Sequence, residues 1–224
     1  MSTLASIIIR DLFANLPAAS IAGRLFFASD TGAVYRDNGA TWDLLIAGGG
    51  GGGSGVSLIS EVVTSGSQTS VTFSGIAATY RDLLIRVRGH SNEAATSSAI
   101  SIQFNADTGS NYDYSFYGFN TAFFQLDALA DDHLFLGWIQ GNTGPASAGS
   151  ATEFTVYDYR GTTFQKHAAG RGAFKADVVT ATNMLSAITN GYWRNTAAIT
   201  AVKVFLSGGP SFTDGSVVSL YGGM

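Results

Sequence analysis

Two Asp-Thr-Gly triplets, Asp30-Thr31-Gly32 and Asp107-Thr108-Gly109, hold the sharpest chemical potential in this sequence. Two carboxylates brought together can share one proton and activate water for attack on a peptide carbonyl. That chemistry needs each Asp on a buried loop fed by an apolar strand. Here Asp30 follows Ala28-Ser29 and Asp107 follows Asn105-Ala106. Asp, Thr and Gly are ordinary turn residues, so surface turns are expected at both places. His90, His133 and His167 fall into no metal-ligand or triad spacing. Asp131-Asp132-His133 could meet a cation, but a solvated turn is the plainer expectation. Ser57 and Ser60 lack a nucleophile-elbow context. The glycine run includes no Gly-Lys-Ser/Thr, which excludes a phosphate loop. Cysteine is absent, which removes disulfides, thiolate zinc sites and a thiol nucleophile. The expectation is no catalytic residue, no metal and no cofactor.

A second constellation is aromatic. Tyr112, Tyr114, Phe116, Tyr117, Phe119, Phe123 and Phe124 crowd one short stretch. Tyr112, Tyr114 and Phe116 share one face of a strand, with Asp113 and Ser115 opposite. Such rings bury large areas in cores and interfaces, and they also stack on sugars. Sandwich core and subunit interface is the first expectation. A ligand platform of Tyr112, Tyr114, Phe116 and Tyr117 is the second. If a ligand binds, the loops 93–98 and 143–150 are further candidates.

The elements that must position these residues follow from composition. Charged residues are only 12% of the 224, apolar residues 46%, and there are 28 glycines against 3 prolines. This suits a β-rich chain with many tight turns and packed neighbours. The net charge is −4 with no basic run, so a nucleic-acid partner is not expected. No stretch reaches the length of a membrane helix, so membrane insertion is not expected either. Residues 1–10 lack the basic n-region of a secretory signal.

Six glycines at 48–53, then Ser54 and Gly55, read as a linker over 48–55. It separates residues 1–47, too few to bury a core alone, from a domain at 56–224. In the first part, 25–28 and 33–36 read as strands around the turn at 30–32. Asp37-Asn38-Gly39 is a second turn, with 40–46 as a third strand. Residues 4–16 could be a short helix or a strand. In the second part, Ile100, Ile102 and Phe104 alternate with Ser101 and Gln103. Leu83, Ile85 and Val87 alternate with Arg86 and Arg88. Residues 71–73, 154–157, 199–206 and 217–221 add strands, and 181–188 is the fair helix candidate. The fold class is all-β: an antiparallel β-sandwich, jelly-roll-like, preceded by a small N-terminal β-hairpin anchoring segment.

Two resemblances bear on function. Asn15-Leu16-Pro17, followed by the run from Gly23 through Phe27-Ala28-Ser29-Asp30-Thr31-Gly32 and Val34-Tyr35 to Gly39, resembles a hairpin of phage tail-fibre proteins. Those run roughly as FATDTG-x-LY-x-GDG, and this sequence departs from them at Arg36 and Asn38. The segments 80–83, 102–112, 191–200 and 215–222 are also similar to phage structural-protein domains. The resemblance implies a structural virion protein, assembled in the host cytoplasm and anchored by its N-terminus. It implies a homotrimer held to tail, collar or capsid proteins, and a host-surface glycan as partner if the chain attaches to a host. Ile7, Ile8, Ile9, Leu12, Phe13, Phe26, Phe27, Tyr35 and Trp42 would serve anchoring and oligomerisation. A carbohydrate-binding module without a virion role is the alternative. The paired triplets also resemble the pepsin-like aspartic proteases, which implies a hydrolase using Asp30 and Asp107. The linker between them offers no rigid frame for that dyad.

Overall fold

The computed structural model describes residues 8–46, 55–120, 122–145, 148–175 and 184–223. The chain divides into two compact units, Met1–Gly55 and Val56–Met224.

The first unit is one four-stranded sheet: β1 (Ile8–Asp11), β2 (Leu25–Ala28), β3 (Val34–Asp37) and β4 (Trp42–Ile46), in that order. β1 runs parallel to β2 and the other pairs are antiparallel. Between β1 and β2, Phe13–Asn15 forms one 3-10 turn. The stretch 4–16 is therefore a strand followed by a tight turn over its described residues, as the β-branched isoleucines favour. Both predicted turns form, with Gly32 at φ +71° and Gly39 at φ +96°. One face of the sheet is closed: Phe26, Ala28 and Ala33 are buried beneath Ile9, Leu16, Tyr35 and Trp42. The indole of Trp42 donates to the Pro17 carbonyl at 2.6 Å and pins the covering segment. Asp37 is buried and satisfied. It accepts from the Ser20 and Ile21 amides and from Arg24 Nε at 3.0 Å each, and from the Gly39 amide at 2.7 Å. Burial pushes its carboxyl up, but these donors outweigh that and hold it well below the usual carboxylate range.

The second unit is an antiparallel sandwich. Its strands are β5 (Val56–Val63), β6 (Ser70–Ser74), β7 (Asp82–Gly89), β8 (Ser97–Phe104), β9 (Tyr112–Phe119) and β10 (Phe123–Asp131). The chain continues through β11 (Leu134–Gln140), β12 (Ser150–Val156), β13 (Lys166–Lys175), β14 (Met184–Trp193), β15 (Ala201–Leu206) and β16 (Val217–Gly223). One sheet has the order β10-β9-β14-β13-β12-β7-β16-β5, and the other β11-β8-β15-β6. The pairs β5·β16, β6·β15, β7·β12 and β8·β11 are the rungs of one two-chain ribbon rolled into two layers, which is a jelly roll. Two hairpins are added to it. β9–β10 lies in the β8–β11 connection and β13–β14 in the β12–β15 connection, and both widen the larger sheet.

The predicted alternation sets the main core. Ile100, Ile102, Phe104, Val202 and Val204 of the small sheet face Leu83, Ile85, Val87, Phe154 and Leu220 of the large one. Each such side chain contributes about 1.5–3 kcal/mol of burial. A second core lies beneath the added hairpins. Phe116 packs on Phe135 (4.9 Å) and Trp138 (4.7 Å), with Phe124 and Leu185 alongside. The helix candidate 181–188 is corrected over its described part. Residues 184–193 form β14, with Ala187, Thr189, Gly191 and Trp193 inward and Ser186, Ile188, Asn190 and Tyr192 outward. This period of two needs a strand. Residues 181–183 lie outside the described residues.

Candidate functional site

Both Asp-Thr-Gly triplets are turns whose carboxylates are engaged. Asp30 Oδ1 accepts from the Phe13 amide (2.9 Å) and the Thr31 amide (3.0 Å). Asp107 accepts from Trp193 Nε1 (2.7 Å), the Gly109 amide (2.9 Å) and Asn111 Nδ2 (3.0 Å). Burial pushes the Asp107 carboxyl up, and these three donors overcome it and bring it below the usual range. A carboxylate held ionised by three donors is poorly suited to share a proton. The two triplets also belong to different compact units.

The remaining ionisable candidates are likewise paired. His133 Nδ1 meets Asp132 closely and Asp131 at 3.3 Å, and the three side chains place ligand atoms within 4.8 Å of one another. Asp131 also accepts from Tyr114 Oη at 3.3 Å. Burial raises the Tyr114 phenol to about 12, with Asp131 adding to the effect. His90 Nε2 accepts from the Gly149 amide at 3.1 Å and fixes the end of the 143–150 loop. That loop and 93–98 are neighbours, joined by Asn142 N–Glu93 O (2.8 Å) and Thr143 N–Ala95 O (3.2 Å).

Of the four rings expected to form a ligand platform, Tyr112 and Phe116 are fully buried in the core and present no surface to a ligand. The Tyr112 hydroxyl donates to the Asp107 carbonyl at 3.1 Å, deep in the main core. Tyr114 is half-buried against Phe135 and His133. Tyr117 alone faces outward, stacked on Phe123 at 5.9 Å. The alternation that set three of the rings on one face was sound, and that face is the inner one.

The anchoring candidates also divide. Phe26 is buried, and Trp42, Tyr35 and Ile9 pack around it, so these four hold the first unit together. Phe13 stacks on Tyr35 at 5.5 Å and stays 44% exposed. The strand register puts Ile8, Leu25, Phe27 and Val34 on the face opposite Phe26, together with Arg10, whose guanidinium lies over the Phe27 ring, and Arg36, which pairs with Asp43. Ile8 is 71% exposed, and Leu12, Ile21 and Leu44 are about half exposed. Ile7 lies outside the described residues.

Among the described residues, the outer face of the large sheet carries a trough of ligand size. Across β7, β12, β13, β14 and β9 the register aligns Arg88, Ala151, Ala173, Ser186 and Phe119. The adjoining row is Arg86, Glu153, Arg171, Ile188 and Tyr117. Ala151, Ala173 and Ser186 are short between Arg88 and Phe119, and the longer Glu153, Arg171 and Ile188 of the adjoining row stand beside them, bounding a trough of about 730 Å³. Arg86 Nε donates to Glu153 at 2.7 Å and its guanidinium lies over the Tyr221 ring. The bond to Glu153 raises the Arg86 pKa. Farther along the same face Tyr157, His167 and Tyr192 form a ladder of rings, with centroids 5.5 and 4.8 Å apart. Burial between them lowers the His167 pKa, so the imidazole is held toward its neutral form. The alternation of Arg86 and Arg88 with apolar residues is the one signal of this face in the sequence. The order of strands, which supplies the other residues, is not encoded locally.

No protein-family model matches the chain and no curated protein matches it. Among solved structures, an exo-inulinase from Aspergillus awamori aligns over 89% of this chain and 34% of its own, at 12% identity and a TM-score of 0.35. The chain thus spans about a third of that protein, and a TM-score this low carries no argument about fold or activity.

Proposed function

We propose that the chain is a structural subunit of a bacteriophage particle, a short fibre or appendage that is held by its N-terminal unit and displays the jelly roll. Its work is mechanical and adhesive, with no covalent step. The observation that carries this reading is the N-terminal sheet, closed by its own chain on one face and open on the other. That open face is mixed, with Arg10 over the Phe27 ring and Arg36 paired to Asp43. Yet a sheet of four short strands buries too little to spare Ile8 and Phe27, which stay exposed between these charges and call for cover from outside the unit. Identical chains around a closed axis supply such cover, and so does an anchoring protein of tail, collar or capsid. The fibre-like turn Asp30-Thr31-Gly32 lies in the same unit and shapes it, which ties the resemblance to this sheet. The aspartic-protease reading receives no support from Asp30 and Asp107, whose carboxylates serve their own turns.

The test is incorporation. Particles purified from a lysate that contains the full-length chain are probed for it beside particles made with Ile8→Asp/Phe27→Asp. Presence of the first and absence of the second is the expected result. Equal incorporation of both, or of neither, refutes the reading.

A further inference from the structure

We infer that the trough on the outer face of the large sheet binds a carboxylated oligosaccharide. This deepens the reading of the jelly roll as the displayed, adhesive unit and rests on it.

The argument begins with charge. The second unit has 12 acidic and 9 basic side chains, so its overall field repels anions. The trough reverses that locally. It gathers Arg86, Arg88 and Arg171 against one carboxylate, Glu153. Glu153 is committed to Arg86 at 2.7 Å and reaches Arg171 only at 3.8 Å. No carboxylate of the described residues pairs with Arg88, and Arg171 is 81% exposed along its side chain. Two guanidinium groups are thus available to the trough, Arg88 from its β7 end and Arg171 from β13 in its middle. A guanidinium matches a carboxylate through two parallel hydrogen bonds.

The opposite wall is aromatic. Phe119 and Phe123 are 60% and 63% exposed, and Tyr117 stacks beside them. Ring faces left open to water at this density suit the C–H faces of pyranoses. Arg88 and Phe119 stand in one cross-strand row four strands apart, about 19 Å between backbones at the usual strand spacing. The Ala151, Ala173 and Ser186 side chains between them are short, so a flat ring can lie on the floor while its carboxylate reaches an arginine. The volume is that of a small-ligand site.

The same geometry disfavours a peptide. β12, β13 and β14, which make the floor, are each paired on both sides. A peptide laid in the trough finds no free main-chain edge and gains none of the bonds of strand addition. Polyphosphate chains meet the net negative unit beyond the trough's rim.

The experiment is calorimetric titration of the full-length chain with trigalacturonate and with 3′-sialyllactose, beside the methyl ester of trigalacturonate and decanoate. Saturable binding of at least one acidic sugar is expected, with the ester at least about tenfold weaker. Arg88→Gln, Arg171→Gln and Phe119→Ala should each weaken binding by about tenfold. Tyr192→Ala, on the same face outside the trough, should leave it unchanged. Each variant is first shown to keep the wild-type circular dichroism. Failure of both acidic sugars at millimolar concentration overturns the inference, as does equal binding of the ester. Arginine-dependent binding of decanoate alone overturns it in favour of an amphiphile. Loss of self-association in Phe119→Ala without sugar binding shows the trough to be a contact between copies. Particle incorporation is scored in a separate assay, so a displayed jelly roll that binds no sugar is distinguished from a chain that is no virion subunit.

Discussion

Replacing Asp107 with alanine separates a structural turn from an acid–base role at the second Asp-Thr-Gly triplet. The carboxylate accepts hydrogen bonds from three donor groups, and the most consequential is from Trp193 Nε1 at 2.7 Å. Trp193 is 1% exposed, so its indole N–H loses its partner where water does not easily replace it. A buried donor left unsatisfied costs about 1–3 kcal/mol. The bonds to the Gly109 amide and Asn111 lie nearer solvent and add about 1 kcal/mol together. The expected loss is about 2–4 kcal/mol. With a urea slope of about 2 kcal/mol per molar, the unfolding midpoint falls by about 1–2 M. Trp193 fluorescence and near-ultraviolet circular dichroism report it. The pH dependence has a definite sign. The folded carboxyl titrates below its unfolded value of about 3.9, so its contribution is full above that value and is lost as pH falls through the folded pKa. The gap between wild type and variant therefore narrows in acid. An Asp107→Ala chain with an unchanged midpoint refutes the reasoning. So does one that keeps its stability and loses an acid-range peptide hydrolysis shown by the wild type.

In the first unit, Phe26→Ala removes the one fully buried ring of a small core, costs about 3–4 kcal/mol and should unfold that unit, read by Trp42 fluorescence. Asp37 makes the same unit acid-sensitive: its stabilisation is present above the unfolded carboxyl value and is lost as pH falls through the lowered folded one. An acid titration should show this transition, and Asp37→Asn should flatten it while lowering stability at neutral pH. Gly118 on β9 lies under the Phe124 ring of β10. Gly118→Val should displace that ring and loosen the edge strand, seen as faster amide exchange over 123–131 with β7 unchanged.

Short-range patterns carried much of this fold. The alternation at Ile100-Ile102-Phe104 and at Leu83-Ile85-Val87 set faces that the sandwich keeps, because one buried face per strand is a local property of sequence. Asn38-Gly39 and Thr31-Gly32 marked turns through the backbone freedom of glycine. β13 was not legible. Its run Lys166–Lys175 is rich in glycine and alanine, poor strand formers taken alone. Gly170 and Gly172 are there because the Phe154 ring and the Thr152 side chain of β12 fill the space a side chain would need. That requirement comes from the neighbouring strand. β11 is hidden in the sequence for a related reason: Leu134, Phe135, Leu136 and Ile139 are all buried, so no alternation marks it. The trough was half legible, through Arg86 and Arg88. Its aromatic wall and small floor come from strands distant in sequence, and only the sheet order brings them together.

The central claim is that the open N-terminal sheet face is covered first by copies of the same chain, before any anchoring protein is met, and native mass by light scattering tests it most directly. The full-length chain is measured beside the full-length Ile8→Asp/Phe27→Asp variant. The account predicts about 70 kDa for the first, three times the 23.3 kDa chain, and a smaller species for the second. A monomer of wild type, or a trimer that the two substitutions leave intact, contradicts it.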